Sequence, residues 1–135
     1  FFGPWALTQA FAPVLAANGG GGVINVLSAL AWTTFPSVAT YSATKSAAWS
    51  LSNGLRNELA GQGTTVTSLH VGYMDTDMAA HVQGAPKASP DDVARQALAG
   101  LEAGKPEVLA DEPSRQLKQG LSSPTPPYAG TAPAA

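Results

Sequence analysis

The feature that most constrains this chain is a pair of short β-forming runs separated by one long helical pattern. Val23-Ile24-Asn25-Val26-Leu27 is an apolar run closed by Gly19 to Gly22 on one side and Ser28 on the other. Such a run is expected for a strand buried on both faces. Thr65 to Val71 is rich in β-branched residues and reads as a second strand. Between them, Tyr41 to Ala60 sets Ala47, Ala48, Leu51, Leu55 and Leu59 along one stripe before Gly61 and Gly63 close the helix. Strand, helix and strand within roughly fifty residues predict a right-handed crossover and therefore a parallel α/β sheet.

The rest of the chain fits around that unit. From Gly3 to Ala17, Leu7, Phe11, Val14 and Leu15 recur at helical spacing. Pro4 suits a first turn, whereas Pro13 is expected to kink the helix. Asn18 and the glycine run end it, and the run reads as a loop because phosphate cradles follow a strand and open a helix. Ser28 to Thr40 is an irregular connection containing Pro36, and Gly72 to Ala88 a loop or lid. Ser89 is placed to cap a helix with Pro90 at its first position and Asp91 and Asp92 in its first turn. Ala94, Ala97, Leu98 and Leu101 are its expected buried face. Glu107 to Ala110 predicts a last short strand and Ser114 to Gln119 a short helix. Residues 1–110 thus form one α/β unit, and 111–135 a short helix with a disordered proline-rich tail.

Composition removes several function classes. Only 12% of the 135 residues are charged, the net charge is −2, and the seven Lys and Arg are scattered. No basic footprint for nucleic acid or an anionic membrane surface results. The absence of cysteine excludes disulfides, thiolate zinc sites and thiol catalysis, and fits a cytoplasmic setting. Phe1 to Ala17, the longest apolar stretch, carries Thr8, Gln9 and Pro13, is too short to span a membrane, and lacks a basic leader.

Three residues carry chemistry. Ser28 follows the first strand at its carboxyl end, Tyr41 opens the long helix thirteen residues later, and Lys45 lies one helical turn beyond Tyr41. Ligands of open parallel sheets bind beyond the carboxyl ends of the strands, where Ser28 and the Gly72 loop both fall. A phenol is a poor base at neutral pH, but a nearby ammonium and the positive end of a helix both stabilise phenolate. Tyr41 is therefore placed to exchange a proton with a substrate hydroxyl or carbonyl, and Ser28 to hydrogen-bond the same oxygen. Tyr-x-x-x-Lys alone is a weak signal; the serine and the strand and helix contexts sharpen it.

With these segments in view, the chain resembles the short-chain dehydrogenase/reductase family. The likeness rests on Val23-Ile24-Asn25-Val26-Leu27-Ser28, on Tyr41-Ser42-Ala43-Thr44-Lys45-Ser46-Ala47 and on Val71-Gly72-Tyr73-Met74-Asp75-Thr76. It implies a Rossmann-like doubly wound parallel sheet, of which this chain is expected to be the C-terminal half, with about three strands and their flanking helices. It implies Ser28 as the substrate-polarising hydroxyl, Tyr41 as general acid/base, and Lys45 as ligand to the nicotinamide ribose. Gly72, Met74 and Thr76 match the loop that receives the nicotinamide carboxamide. Ser28, Leu30, Trp32 and Met78 are the candidate substrate contacts. The implied cofactor is NAD or NADP, the implied activity hydride transfer between alcohol and carbonyl, and the implied assembly a homodimer or homotetramer pairing helices 3–17 and 41–60. The family's glycine-rich dinucleotide turn, its NAD-versus-NADP selector and its catalytic asparagine have no counterpart in this sequence, which opens at Phe1 without Met. Val71 stands where the family has proline.

Rival readings are weaker. His70, His81, Asp75 and Asp77 lack a ligand spacing typical of metal sites, so no metal is expected. A hydrolase triad using Ser28 lacks a Gly-x-Ser-x-Gly elbow. Epimerases and dehydratases that reuse Tyr-x-x-x-Lys carry long C-terminal substrate domains, which this chain lacks. A reading of a different class is a non-catalytic fragment that keeps the family's sequence but binds no cofactor alone. Trp49 reads as core, and Trp32 as either pocket wall or packing.

Overall fold

The computed structural model of the chain describes residues 1–130. Its sheet holds three parallel strands in the order β1-β2-β3: β1 Gly21–Val26, β2 Thr64–His70 and β3 Glu107–Leu109. Val23 pairs with Val66 and Val26 with Leu69, while Leu69 pairs with Val108. Four helices connect and cover the strands: α1 Phe2–Ala17, α2 Ala39–Ala60, α3 Pro90–Glu102 and α4 Glu112–Gly120. The expected parallel α/β architecture is present, with α2 as the β1–β2 crossover.

Two apolar clusters divide the interior. Leu55, Leu59 and Val66 join α2 to β2, with Leu51, Val23 and Ala12 packed against them. Leu69, Val71, Val93, Ala97, Val108 and Ala110 join α3 to the other side of the sheet. A strand covered by helices on both faces explains why β2 is buried along nearly its whole length.

Several expectations need correction. β1 begins two residues earlier than the apolar run and is only half-buried, with Val26 53% exposed. It lies at the sheet margin, with β2 as its one neighbour among the described residues, so one side of its ladder is open. The glycines that lead into it are needed for backbone approach. Gly20 has φ +109, and a Cβ there would collide with the Gly63 carbonyl oxygen. Pro13 lies inside α1, and the stripe of that helix faces outward, with Leu7, Phe11 and Val14 all at least half exposed.

The buried face of α3 is Val93, Ala97 and Gly100, rotated from the expected one, and Leu98 is 56% exposed. Gly100 is the reason: Val108 Cγ2 occupies the place of its missing Cβ, so the helix meets β3 through its smallest residue. Ser89 sits at the N-cap position but its side chain caps nothing. The stretch expected as a disordered tail carries a single helical turn at Pro127–Ala129, whose Pro127 carbonyl accepts from Thr33 Oγ1 at 3.1 Å. Residues 131–135 of that expectation lie outside the described residues. No helix among the described residues is long and apolar enough to cross a membrane.

Candidate active site

Topology brings the chemistry-bearing residues to one end of the sheet. α2 begins at the carboxyl end of β1, because a helix linking two parallel strands runs back along them. Ser28 lies two residues beyond β1, and the Gly72 loop leaves the carboxyl end of the adjacent β2.

Ser28 opens a single 3₁₀ turn, Ala29–Ala31, as its N-cap. Its Oγ accepts the Leu30 N–H at 3.1 Å, which leaves the hydroxyl proton free to be donated elsewhere. The β1–β2 ladder continues past β1 into this turn, with Leu27 N donating to Leu69 O at 2.8 Å and Ala29 N to Val71 O at 3.2 Å. From α2, Ser46 Oγ donates to the Ala31 carbonyl at 2.8 Å, tying the helix of Tyr41 and Lys45 to the Ser28 turn.

Tyr41 occupies the first turn of α2 and is 45% exposed. Lys45 is half-buried one turn later, its Nζ 5.6 Å from the centroid of the Tyr41 ring. The ammonium donates to the Val26 carbonyl at 2.8 Å, on β1. Burial holds its pKa below the ordinary lysine value. The turn that delivers the chain to α2 is strained: Val38 N donates to Phe35 O across Pro36 and Ser37, and Ser37 takes φ +73. That is the position of a type II turn where glycine is usual.

The candidate cofactor loop is pinned at both ends. The Gly72 N–H donates to Asp111 Oδ2 at 2.7 Å, while Asp111 Oδ1 caps α4 by accepting from Ser114 N at 3.0 Å. Asp75 N donates to Ala88 O and Ala88 N to Tyr73 O, closing the neck of a loop whose Met78 is 86% exposed. Thr76 is exposed, and its N–H donates to Met74 O at 2.9 Å. Leu30 is half-buried. Trp32 is buried, stacked on His70 with ring centroids 4.0 Å apart and edge-on to Trp49 at 6.3 Å, so packing accounts for it.

Sequence reasoning missed the cluster behind the turn. His70 is fully buried, with Nδ1 3.1 Å from the Ser28 carbonyl oxygen and Nε2 3.8 Å from Glu107 Oε1. Glu107 accepts from Trp49 Nε1 and Lys118 Nζ, each at 2.7 Å, and Lys118 lies over both indole rings. Burial pushes His70 down to about 4, so the ring is neutral near pH 7. For Glu107, burial opposes ionisation, but the Lys118 and Trp49 hydrogen bonds prevail and hold the carboxyl below its usual value. Among the described residues no three His, Asp or Glu side chains gather as a metal site.

A three-stranded parallel sheet with helices on both faces is a part of the doubly wound α/β architecture. The short chain dehydrogenase family matches residues 1–87, and the chain belongs to that family. It is 34% identical over 99 residues to an uncharacterized oxidoreductase of Staphylococcus aureus (strain N315), covering 72% of this chain and 43% of that protein. It is 39% identical over 88 residues to an uncharacterized oxidoreductase of Staphylococcus haemolyticus (strain JCSC1435), covering 64% of this chain and 38% of that protein. A short chain dehydrogenase from Burkholderia cenocepacia J2315, solved in complex with NADP, superposes with a TM-score of 0.85 at 39% identity. The match covers 91% of this chain and 53% of that one. The chain therefore spans less than half the length of these curated relatives.

Proposed function

We propose that this chain carries the catalytic half of an NAD(P)-dependent oxidoreductase that interconverts an alcohol and a carbonyl. The observation that carries the reading is the joint placement of Ser28, Tyr41 and Lys45 at the carboxyl end of the sheet, with Ser46 and Lys45 bonding α2 to the Ser28 turn and to β1. Ser28 donates its free hydroxyl proton to the substrate oxygen, and Tyr41 gives or takes the proton on that oxygen. Lys45, already partly desolvated, supplies positive charge beside the phenol ring. The nicotinamide, when bound, supplies or accepts the hydride.

The residues present suit one end of such a cofactor. Lys45 can reach a ribose hydroxyl, and the exposed Thr76 hydroxyl and the Met74 backbone can face a carboxamide. Gly72 anchors this loop through its N–H, which donates to Asp111. The NADP held by the Burkholderia relative supports a nicotinamide cofactor for this chain, NAD or NADP. The outward apolar face of α1 supports the dimer or tetramer reading.

Tyr41→Phe tests this in the whole protein with a panel of carbonyl substrates, following nicotinamide absorbance. Turnover should fall by about 10²-fold or more, because the phenol has lost its only exchangeable proton, while cofactor affinity changes less than about threefold. Retained turnover would remove Tyr41 from the acid/base role.

A further inference from the structure

We propose that His70 is a positioning residue for Ser28, gripping both ends of the turn that aims its hydroxyl. The inference rests on the reading of Ser28 as the substrate-polarising group. A carbonyl oxygen only accepts, so the 3.1 Å contact between His70 Nδ1 and Ser28 O requires the proton on Nδ1. The opposite face of the grip is Trp32, the C-cap of the same 3₁₀ turn, which stacks on the imidazole at an interplanar angle of 19°. One fully buried ring on β2 therefore holds the first residue of the turn by a hydrogen bond and the last by stacking.

The Ser28 carbonyl sets the tautomer, and the Trp32 stack sets the plane of the ring. Nε2 has no hydrogen-bond partner and faces the Glu107 carboxylate at 3.8 Å, beyond bonding reach. The Glu107 oxygens are occupied by Trp49 and Lys118, and Lys118 lies against the outer faces of Trp32 and Trp49. The cluster thus connects α2, β2, β3 and α4 to the serine turn. Nothing in it touches the hydroxyl itself, whose bond to Leu30 N lies within the turn. The role is indirect: the histidine sets where the turn sits, and the turn sets where Oγ points.

Two substitutions separate the two grips. His70→Phe keeps a flat ring against Trp32 and removes the donor; His70→Asn keeps a donor near the Nδ1 position and removes the stack. Both are made in the whole protein beside Ser28→Ala. The readouts are kcat, KM, cofactor Kd, thermal melting, and amide exchange at Leu30. If His70 positions Ser28, His70→Phe lowers kcat by about tenfold with KM and cofactor Kd within about twofold, and His70→Asn recovers most of that loss. Leu30 exchange should accelerate in His70→Phe, because the Ser28 turn has loosened. A merely structural histidine would lower the melting temperature and weaken cofactor binding together, with no rescue by asparagine.

If Ser28→Ala abolishes turnover while His70→Phe leaves kcat within about twofold, the positioning role is overturned and the functional reading survives. If Ser28→Ala leaves turnover intact, the functional reading fails, and Leu30 exchange alone then decides whether His70 holds the turn; unchanged exchange overturns it. Should His70→Phe not fold, His70→Asn carries the test, and a loss of about tenfold or more in kcat with the donor present overturns the proposal.

Discussion

The two sides of β1 differ in kind. Towards β2 the chain is interlocked: paired backbone, the Leu55–Leu59–Val66 cluster, and a serine turn held by Ser46 and His70. α1, whose Ala12 packs against that cluster, buries only Thr8, exposes Phe2, Leu7, Phe11 and Val14, and enters with no side-chain cap. Both regions are apolar in sequence. What separates them is the presence of a neighbour: apolar residues stabilise only where another surface takes them from water. α1 has the composition of a core helix and the exposure of a surface one.

The largest expected effect tests the interlocked side. Leu55 is 5% exposed and packs between α2 and β2. Leu55→Ala should destabilise by about 3 kcal/mol, transfer and cavity terms together, with a matching fall in the urea midpoint. A loss below about 1 kcal/mol would mean that α2 and β2 are packed less tightly than the cluster implies.

A comparable effect is expected from acid. His70 titrates near 4 in the fold against 6.5 when unfolded, so the unfolded chain binds more protons between those values. Stability is therefore complete above pH 6.5 and falls as pH drops towards 4, by at most about 3 kcal/mol from this one residue. The groups facing it are the Ser28 carbonyl, the Glu107 carboxylate and the Lys118 ammonium. Glu107, whose folded pKa is depressed, loses its own contribution only as pH falls below its ordinary 4.5. Urea unfolding of the parent and His70→Asn at pH 7 and pH 5 separates the two. The variant should lose the fall in stability between pH 7 and pH 5 that the parent shows, since Glu107 contributes only below that window. An unchanged slope would place the titration elsewhere.

The same contrast explains what was legible in the sequence. β1, α2 and β2 are legible because period and β-branching act locally, and the spacing that puts Ser28, Tyr41 and Lys45 at one end of the sheet is legible because it lies within one crossover. α3 was misphased because the decisive contact is an absence, the missing Cβ of Gly100 against Val108. His70 gave no signal: a lone histidine in a strand of Thr, Ser and Leu looks the same whether it faces water or the Ser28 carbonyl. Asp111 does carry an N-cap pattern with Pro113 and Ser114 after it, but its second bond reaches Gly72, 39 residues back. Long-range polar contacts of this kind depend on where the backbone has already gone.

The smallest expected effect bears most directly on the open side. Phe11 is 56% exposed on α1. In dilute, monomeric chain Phe11→Ser should shift stability by no more than about 0.5 kcal/mol, as for other surface positions. If α1 is instead covered in the assembled protein, the same substitution should lower association measured by sedimentation, and apparent stability should then depend on protein concentration. Leu55→Ala would lower stability at every concentration, whereas Phe11→Ser would act only where assembly occurs. A Phe11→Ser loss as large as that of Leu55→Ala, independent of concentration, would mean that α1 is buried by its own chain and that the two sides of β1 are not different after all.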